Sequence, residues 1–376
     1  MNEDNKTVSQ LREDLRELTC SVASLDKNAM DAAEKRQAFL AKPPGSLGRL
    51  EALSVQMAGI TGQVFNKIDK KTLLVFCADN GVLREGVASA PQSVTLAQTV
   101  NLARGKTGAA VLAKQFGCAL TAVDVGVNAE VPEPAVLSRK IAFGTKNIAT
   151  GPAMTQEQAL RAILTGAKIA EETAQNGADV IGVGEMGVGN TTTAAAVLAA
   201  LTGSPVKDVT GRGAGLTDEA FERKRIVIET ALSVNHPDPD DVVDVLAKVG
   251  GFDIAAMAGA FLGAAKMRTP AVVDGFISAV AALAAVRLCP GSRDYLIPSH
   301  ASYEIGYRIA MEALKLKPML LLDMRLGEGS GCPLTMALLE AACAVTNDMA
   351  TFAEAQINDD YLEPIRTTDA FTVKGS

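Results

Sequence analysis

The chain contains 376 residues, of which 48 % are hydrophobic but only 4 % aromatic, and it carries a formal net charge of -7. This acidic balance disfavours a general surface for nucleic acids or anionic membranes, but it is compatible with one cationic pocket for a small anionic substrate. Six scattered cysteines without a CxxC pair, together with only two histidines, argue against a Cys/His metal site and against a histidine-based catalytic triad.

The first 41 residues predict helix, because leucines recur at helical spacing and helix breakers are few. The N-terminus is polar and acidic, unlike a signal peptide, and the longest apolar run, Phe276–Val286, is too short to span a bilayer. We therefore expect a cytoplasmic protein. The segment Lys42–Glu51 contains two prolines and glycines that interrupt the helical pattern, and its composition alone predicts a loop between helices.

Apolar strand-like runs alternate with alanine-rich helical stretches over the rest of the chain, which predicts an α/β fold with a Rossmann-like parallel sheet flanked by helices. The predicted strands are Thr72–Ala78, Leu120–Val123, Asp179–Val183, Ala271–Val273, Tyr295–Pro298 and Met319–Leu322. A carboxylate follows five of them: Asp79, Asp124, Glu185, Asp274 and Asp323. Because ligands bind beyond the carboxyl ends of parallel strands, we expect an acidic cleft there, with some of these side chains capping helices instead.

The segment Ile181–Ala200 predicts a phosphate site, because a strand runs through four glycines into a helix that begins near Asn190 and Thr191. Glycines let backbone N–H groups approach an anion, and the helix dipole favours negative charge at that end. The alternative is that Asn190 and Thr191 only cap the helix. The glycines also match the dinucleotide pattern GxGxxG, but residues 201–213 do not form the strand ending in an acid that this fold requires.

Two other nucleotide sites find little support in the sequence. Gly105–Thr107 reads GKT, but Val100 stands where a P-loop requires glycine, and no strand leads into the segment. The chain also lacks an apolar strand that ends in paired acids and a Thr-Gly turn, which argues against a diphosphate-sugar donor.

A candidate general base lies in the loop Met324–Gly331, which reads MRLGEGSG. Glycines on both sides expose Glu328 and let a substrate approach it closely. An apolar pocket would raise the pKa of this glutamate into the range that suits a base, whereas a solvent-facing loop glutamate is equally consistent with the pattern.

Two further segments could contact an anion. Ser299, His300 and Ser302 precede a helix that they could cap, or at whose start they could bind a phosphate group. Lys224 ends the glycine-rich segment Gly211–Lys224 and could supply a cation, although its spacing alone favours a solvated lysine on a helix.

Seven segments in this order resemble the nicotinate-nucleotide–dimethylbenzimidazole phosphoribosyltransferase family over about Lys42 to Ala355. They are KPPGSLGRLE, ADNGV, GVGEMGVGNTT, KVGGFD, DGFISAVAAL, PSHAS and MRLGEGSG. The resemblance implies a homodimer whose subunits have a large α/β domain, here 61–327, and a small helical domain from both chain ends, here 1–60 and 328–376. It also implies transfer of phosphoribosyl from nicotinate mononucleotide to 5,6-dimethylbenzimidazole for cobamide synthesis, giving α-ribazole phosphate and nicotinate without cofactor or metal.

The resemblance also assigns roles to individual residues. Glu328 would be the catalytic base, and Glu185 would lie in the active site near the donor. The residues that would hold the donor are Gly187, Asn190, Thr191, Lys224, Asp274 and Ser302. The residues that would line the acceptor pocket are Gln98, Met186 and Leu326.

The chain departs from the family pattern at a few positions. Asn80 replaces a histidine found in many relatives, and Ala90 and Ser93 stand where some relatives have larger or differently polar side chains. A smaller pocket leaves open an acceptor such as phenol or p-cresol, which some members use as heterodimers of two similar chains. Two hypotheses from other classes also stay open, a dinucleotide-dependent oxidoreductase and a subunit that binds nucleotide without catalysis, although Glu185 and Glu328 count against the second.

Overall fold

The computed structural model describes residues 6–366 and contains a six-stranded parallel sheet flanked by helices. The strands are β1 (Lys71–Ala78), β2 (Cys118–Gly126), β3 (Leu137–Ser138), β4 (Val180–Met186), β5 (Ala271–Val273) and β6 (Leu296–Pro298). Their order across the sheet, β3-β2-β1-β4-β5-β6, is that of the doubly wound nucleotide-binding fold. The predicted α/β fold class is therefore confirmed, and the strand order reverses between β1 and β4, where such sheets bind ligands.

Fifteen α-helices surround the sheet within residues 6–366. The first eight are α1 (Val8–Cys20), α2 (Lys27–Phe39), α3 (Arg49–Thr61), α4 (Ser93–Ala103), α5 (Gly108–Gln115), α6 (Gln156–Gln175), α7 (Asn190–Thr202) and α8 (Val206–Val209). The others are α9 (Asp218–Asn235), α10 (Val242–Val249), α11 (Phe252–Lys266), α12 (Phe276–Leu288), α13 (Gly306–Leu314), α14 (Cys332–Asp348) and α15 (Glu363–Arg366). No helix of this part of the chain is both long and apolar enough to cross a membrane.

Side-chain alternation along β1 divides the core into two layers, as expected for a strand covered on both faces. Leu74 and Phe76 pack in the layer formed with α6, α7, α10, α11 and α12. Leu73 and Val75 pack on the opposite face with α3, α5 and α14. Both faces of the sheet are thus covered by helices, and the ends of its strands are where a ligand could reach it.

Segments from near the two ends of the described chain contact each other at the C-terminal end of α14. The Arg36 side chain in α2 donates to the carbonyl oxygens of Thr346 and Met349, and Leu40 forms an antiparallel bridge with Thr351. In contrast, α1 packs on α6, and Leu11 belongs to the core beside the main sheet. The domain boundaries at residues 60 and 327 stay predictions.

Two predicted elements differ from the structure, and one short strand was not predicted. The predicted strand Met319–Leu322 forms only an isolated bridge between Leu320 and His300, and Asp323 after it is exposed. The helix predicted over residues 1–41 is interrupted between α1 and α2. The two-residue strand β3 was not predicted, because so short an edge strand carries no periodic signal.

Candidate active site

A cavity of about 340 Å³ opens beyond the carboxyl ends of β4 and β5, next to the point where the strand order reverses. The structure brings together every residue to which the family resemblance assigned a role. All of them except Lys224 line the cavity: Gln98, Glu185, Met186, Gly187, Asn190, Thr191, Asp274, Ser302, Leu326 and Glu328. Lys224 lies directly behind Thr191.

The start of α7 lines the cavity and contacts a buried cation of α9, Lys224. The N-cap of α7 is Gly189, with φ 91° and no side-chain cap, so Asn190 and Thr191 do not cap the helix. The Lys224 Nζ donates to Thr191 Oγ1 at 2.9 Å and to the Gly211 carbonyl oxygen at 3.0 Å. This part of the lining therefore combines a helix N-terminus with a positive charge, which suits a phosphate group.

Lys224 itself is fully buried, so the solvated lysine that its spacing favoured is wrong. Burial lowers the pKa of Lys224 to about 8, and the nearby Glu304 opposes that shift. Glu304, which the sequence analysis did not single out, also lines the cavity. Burial raises the pKa of Glu304, and the positive charge of Lys224 opposes that rise.

Two buried carboxyl groups, Glu185 in the cavity lining and Asp253 outside it, share one amide donor. The Asn190 Nδ2 donates to Glu185 Oε2, and also to Asp253 Oδ2 at 3.0 Å. Burial, followed by the charge of Asp253, raises the pKa of Glu185 to about 8. Burial raises the pKa of Asp253 to about 6. Asp253 lies in the KVGGFD segment, but its place on the first turn of α11 gave no local sign that it would meet Glu185.

Glu328 also lines the cavity, in a loop whose backbone is held in an unusual conformation. Its φ is 60°, and the flanking Gly327 and Gly329 also have positive φ, so three consecutive residues adopt left-handed backbone angles. Such angles are strained for a glutamate and are found most often at functional sites. A methyl group on Gly184 of β4 would lie 2.5 Å from the Gly329 Cα, which shows how closely the loop crosses the strand.

The Glu328 side chain is 4 % exposed and is surrounded by hydrogen-bond donors. The Gln98 Nε2 donates to Oε1 at 3.5 Å, and the Ala109 N–H donates to Oε2 at 3.3 Å. Burial raises the pKa of Glu328, while the hydrogen bond from the Ala109 N–H opposes the rise. A buried carboxyl group with a raised pKa suits a general base, and the loop glutamate is therefore not solvent-facing.

Asp274 completes the acidic side of the cavity. Its Oδ1 accepts the Gly331 N–H at 2.7 Å and lies 3.8 Å from His300 Nδ1. Burial raises the pKa of Asp274, opposed by His300. Asp274 thus ties the end of β5 to the loop after Glu328.

Only two of the five carboxylates predicted at strand ends, Glu185 and Asp274, line the cavity. The other three do not line it. Asp79 accepts the Asn128 N–H at 2.8 Å, Asp124 forms an ion pair with Lys140 at 2.8 Å, and Asp323 is exposed. Within residues 6–366, no cluster of His, Cys, Asp and Glu side chains could hold a metal ion.

Part of the cavity lining is apolar. Small and apolar side chains contribute to it together with Gln98 and Met186: Val87, Ala88, Ala90, Val94, Ile277 and Leu326. Of the departures from the family pattern, Ala90 contributes to this lining, whereas Ser93 and Asn80 do not. Asn80 is buried, where its Oδ1 accepts the Thr193 hydroxyl at 3.3 Å. The glycine motif is followed by α7 and the short α8 rather than by the acid-terminated strand of a dinucleotide site.

Comparison with known proteins identifies the chain's relatives. A family model described as phosphoribosyltransferase matches residues 22–357. The nicotinate-nucleotide–dimethylbenzimidazole phosphoribosyltransferase of Clostridium perfringens is 47 % identical over 359 residues, 96 % of this chain and 99 % of that protein. The protein of the same name from Ruminiclostridium cellulolyticum is 50 % identical over 337 residues, 90 % and 96 % of the two chains. The crystal structure of CobT from Thermus thermophilus superimposes with a TM-score of 0.85 at 41 % identity, covering 88 % of this chain and 99 % of that one. This chain therefore belongs to the nicotinate-nucleotide–dimethylbenzimidazole phosphoribosyltransferase family.

Proposed function

We propose that this chain transfers phosphoribosyl from nicotinate mononucleotide to 5,6-dimethylbenzimidazole, giving an α-ribotide and nicotinate for the nucleotide loop of cobamides. One observation carries the proposal: one cavity is lined both by the start of α7, with the buried cation Lys224 behind it, and by the buried Glu328 together with small apolar side chains. The first suits the phosphate of the donor, and the second suits an aromatic base that loses a proton. The names of the relatives support the same pair of substrates.

The donor side of the reaction needs little chemical activation. Nicotinate mononucleotide carries a pyridinium, which leaves as neutral-ring nicotinate when the bond from its nitrogen to C1 of the ribose breaks. Positive charge then develops on the sugar, and Glu185 and Asp274 are the carboxyl groups that would stabilise it. Although the pKa of Glu185 is about 8 in the free protein, a bound pyridinium cation would lower it and favour the carboxylate.

The acceptor side requires a base. A ring nitrogen of dimethylbenzimidazole would attack C1 from the face opposite the departing nicotinate, which inverts the sugar to the α-configuration. The second ring nitrogen would release its proton to Glu328, whose hydrogen-bond donors and buried position favour this task. Gln98, Met186 and Leu326 would border the acceptor, and Ser302 and Lys224 the donor phosphate.

Turnover by the purified full chain tests the proposal. Nicotinate release from nicotinate mononucleotide is followed by chromatography with dimethylbenzimidazole, phenol or no acceptor. We expect release with dimethylbenzimidazole and not without an acceptor. Release with phenol alone would move the acceptor to the phenolic class, and the absence of release together with absence of donor binding would refute the transferase function. Release only after a second, similar chain is added would indicate a heterodimer, whereas a homodimer and a cytoplasmic location stay predictions of the sequence.

The role of Glu328 is tested by Glu328→Gln, with the exposed Glu312→Gln as the matched control. The amide keeps the size of the side chain but cannot take the proton, so we expect kcat to fall by about 10²–10⁴ with donor affinity retained. Near-normal turnover by Glu328→Gln would exclude Glu328 as the base. A comparable loss in Glu312→Gln would show that the assay reports general damage.

A further inference from the structure

The KVGGFD segment, residues 248–253, belongs to the described part of the chain but does not line the cavity. Its last residue, Asp253, lies in the first turn of α11 and is completely buried. The Asp253 carboxyl group accepts hydrogen bonds from two uncharged donors, the Ile254 N–H at Oδ1 and the Asn190 Nδ2 at Oδ2, each at 3.0 Å. Because burying a carboxyl group without a paired cation costs free energy, we expect Asp253 to contribute more than packing.

Two motif glycines make room for this carboxyl group. A methyl group added to Gly251 would overlap Asp253 Oδ1, and one added to Gly187 would lie 3.2 Å from Asp253 Oδ2. A side chain at Gly251 would therefore displace the carboxyl group. The segments GVGEMGVGNTT and KVGGFD thus meet at Asp253, although they lie far apart in the sequence.

Asn190, the first residue of α7, connects Asp253 to Glu185. An asparagine amide nitrogen carries two hydrogens, and the Asn190 Nδ2 has two acceptors, Glu185 Oε2 and Asp253 Oδ2. The reverse orientation of the amide would place its oxygen against two carboxyl oxygens. The two carboxyl groups together therefore determine which way the Asn190 amide points, and without Asp253 one of these two contacts is lost.

The Glu185 side chain is held between α7 and the loop that carries Glu328. Its Oε2 accepts from Asn190, and its Oε1 lies beside Gly327, where an added methyl group would be 2.5 Å away. Glu185, Asn190 and Gly327 all line the cavity. The position of the Glu185 carboxyl group relative to a bound sugar therefore depends on the orientation of the Asn190 amide.

We propose that Asp253 is a positioning residue of the transfer reaction, which holds the Asn190 amide nitrogen on Glu185 and thereby fixes the Glu185 carboxyl group in the cavity. The inference rests on the proposed role of Glu185 in stabilising positive charge on the sugar. Because Asp253 does not line the cavity, its effect on the sugar passes through Asn190 and Glu185. A carboxyl group that is already in place when charge develops needs no rearrangement during the reaction.

A double-mutant cycle with Glu185→Gln tests the inference. Asp253→Asn keeps the size of the side chain, but its amide can donate as well as accept, so it no longer selects one orientation of Asn190. We expect kcat for nicotinate release with dimethylbenzimidazole to fall by about 10- to 100-fold, the scale of one hydrogen bond to a charged group. In the Glu185→Gln background the same replacement should change kcat by less than about threefold, because the carboxylate on which Asp253 acts is absent.

Asp124→Asn is the matched control for the removal of a buried carboxyl group. Asp124 in β2 is 2 % exposed, and its Oδ1 accepts the N–H groups of Gly126 and Val127 at 3.1 and 2.9 Å. It does not line the cavity. We expect Asp124→Asn to be less stable than the wild type but to keep its kcat. An equal loss of kcat in Asp124→Asn and Asp253→Asn would overturn the inference.

Wild-type kcat in Asp253→Asn would also overturn the inference, as would an equal loss in the presence and absence of the Glu185 carboxylate. If Asp253→Asn does not fold, Asp253→Ser, which is smaller and places no amide against the Ile254 N–H, enters the same cycle. Glu185→Gln alone separates the two proposals. Its wild-type kcat would refute the proposed role of Glu185 and the inference with it, whereas a lowered kcat with additive effects would refute only the positioning role of Asp253.

Discussion

Replacing Gly184 with alanine should impair the reaction although the substitution removes no polar side chain. Gly184 lies in β4 where it is crossed by the loop Met324–Gly331 that carries Glu328, called here the base loop. A methyl group added to Gly184 would lie 2.5 Å from Gly329 Cα and 2.8 Å from the Glu328 carbonyl carbon. Ordinary contacts of this kind begin at 3.4 Å, so the loop must retreat by roughly 1 Å, because both contacted atoms belong to the backbone. Overpacking of this size destabilises by about 1–3 kcal/mol, and a 1 Å displacement of a catalytic group lowers the rate by about 10²-fold.

Urea unfolding and nicotinate release measure the two effects separately. Gly184→Ala should remain folded, with a free energy of unfolding lowered by about 1–3 kcal/mol and kcat lowered by about 10²-fold. Gly151→Ala is the matched control, because an added methyl group there meets no atom within 4 Å and the backbone angle is ordinary. A Gly184→Ala variant with wild-type kcat would refute the close crossing of strand and loop. A kcat loss shared by Gly151→Ala would remove the link to the base loop.

Two further predictions concern the buried charges of the site. Burial raises the pKa of Glu185 from 4.5 to about 8, so the stability that its neutral form contributes is complete below pH 4.5 and is lost as the pH rises through 8. Between pH 6 and 8, above the pKa of about 6 for Asp253, the free energy of unfolding should therefore fall by about 1 kcal/mol per pH unit, and Glu185→Gln should reduce this slope. Equal slopes in urea unfolding of the two proteins would contradict the raised pKa. Lys224→Met should raise the KM for nicotinate mononucleotide by at least about tenfold, the scale of one charge-assisted hydrogen bond. Because the pKa of Lys224 is about 8, wild-type affinity for the donor should also decline as the pH rises through 8, and persistence of that decline in Lys224→Met would assign it to another group.

The sequence predicted the fold better than it predicted the surroundings of individual side chains. Continuous apolar runs correctly located β1, β2, β4 and β5, because strands covered on both faces must be apolar throughout. The same rule failed at Met319–Leu322, an apolar run that forms a single bridge, since an apolar pattern does not show whether a neighbouring strand is available for pairing. Consequently Asp323 was placed in the cleft by analogy with Glu185 and Asp274, and it is exposed instead.

Motifs that follow or end sheet strands, such as GVGEMGVGNTT, DGFISAVAAL and PSHAS, located the cavity, because parallel strands bring their carboxyl ends to one edge. The motifs did not show which distant residues would hydrogen-bond their side chains. Asp253 reaches Asn190 across 63 positions of sequence, Ala109 reaches Glu328 across 219, and Lys224 reaches Thr191 across 33. Spacing on α9 made Lys224 look solvated, since helical periodicity shows which residues share a face but not what covers that face.

By itself, the sequence determined the parallel α/β class, the glycine-rich helix start, the candidate base and the family, because these depend on local pattern and on the order of motifs. Only the tertiary structure decided which carboxyl groups are buried together, that Lys224 is a buried cation, and that the start of α5 contacts Glu328. The physical reason is that a pKa and a hydrogen bond depend on burial and on neighbours within a few ångströms, and packing brings those neighbours from distant parts of the chain.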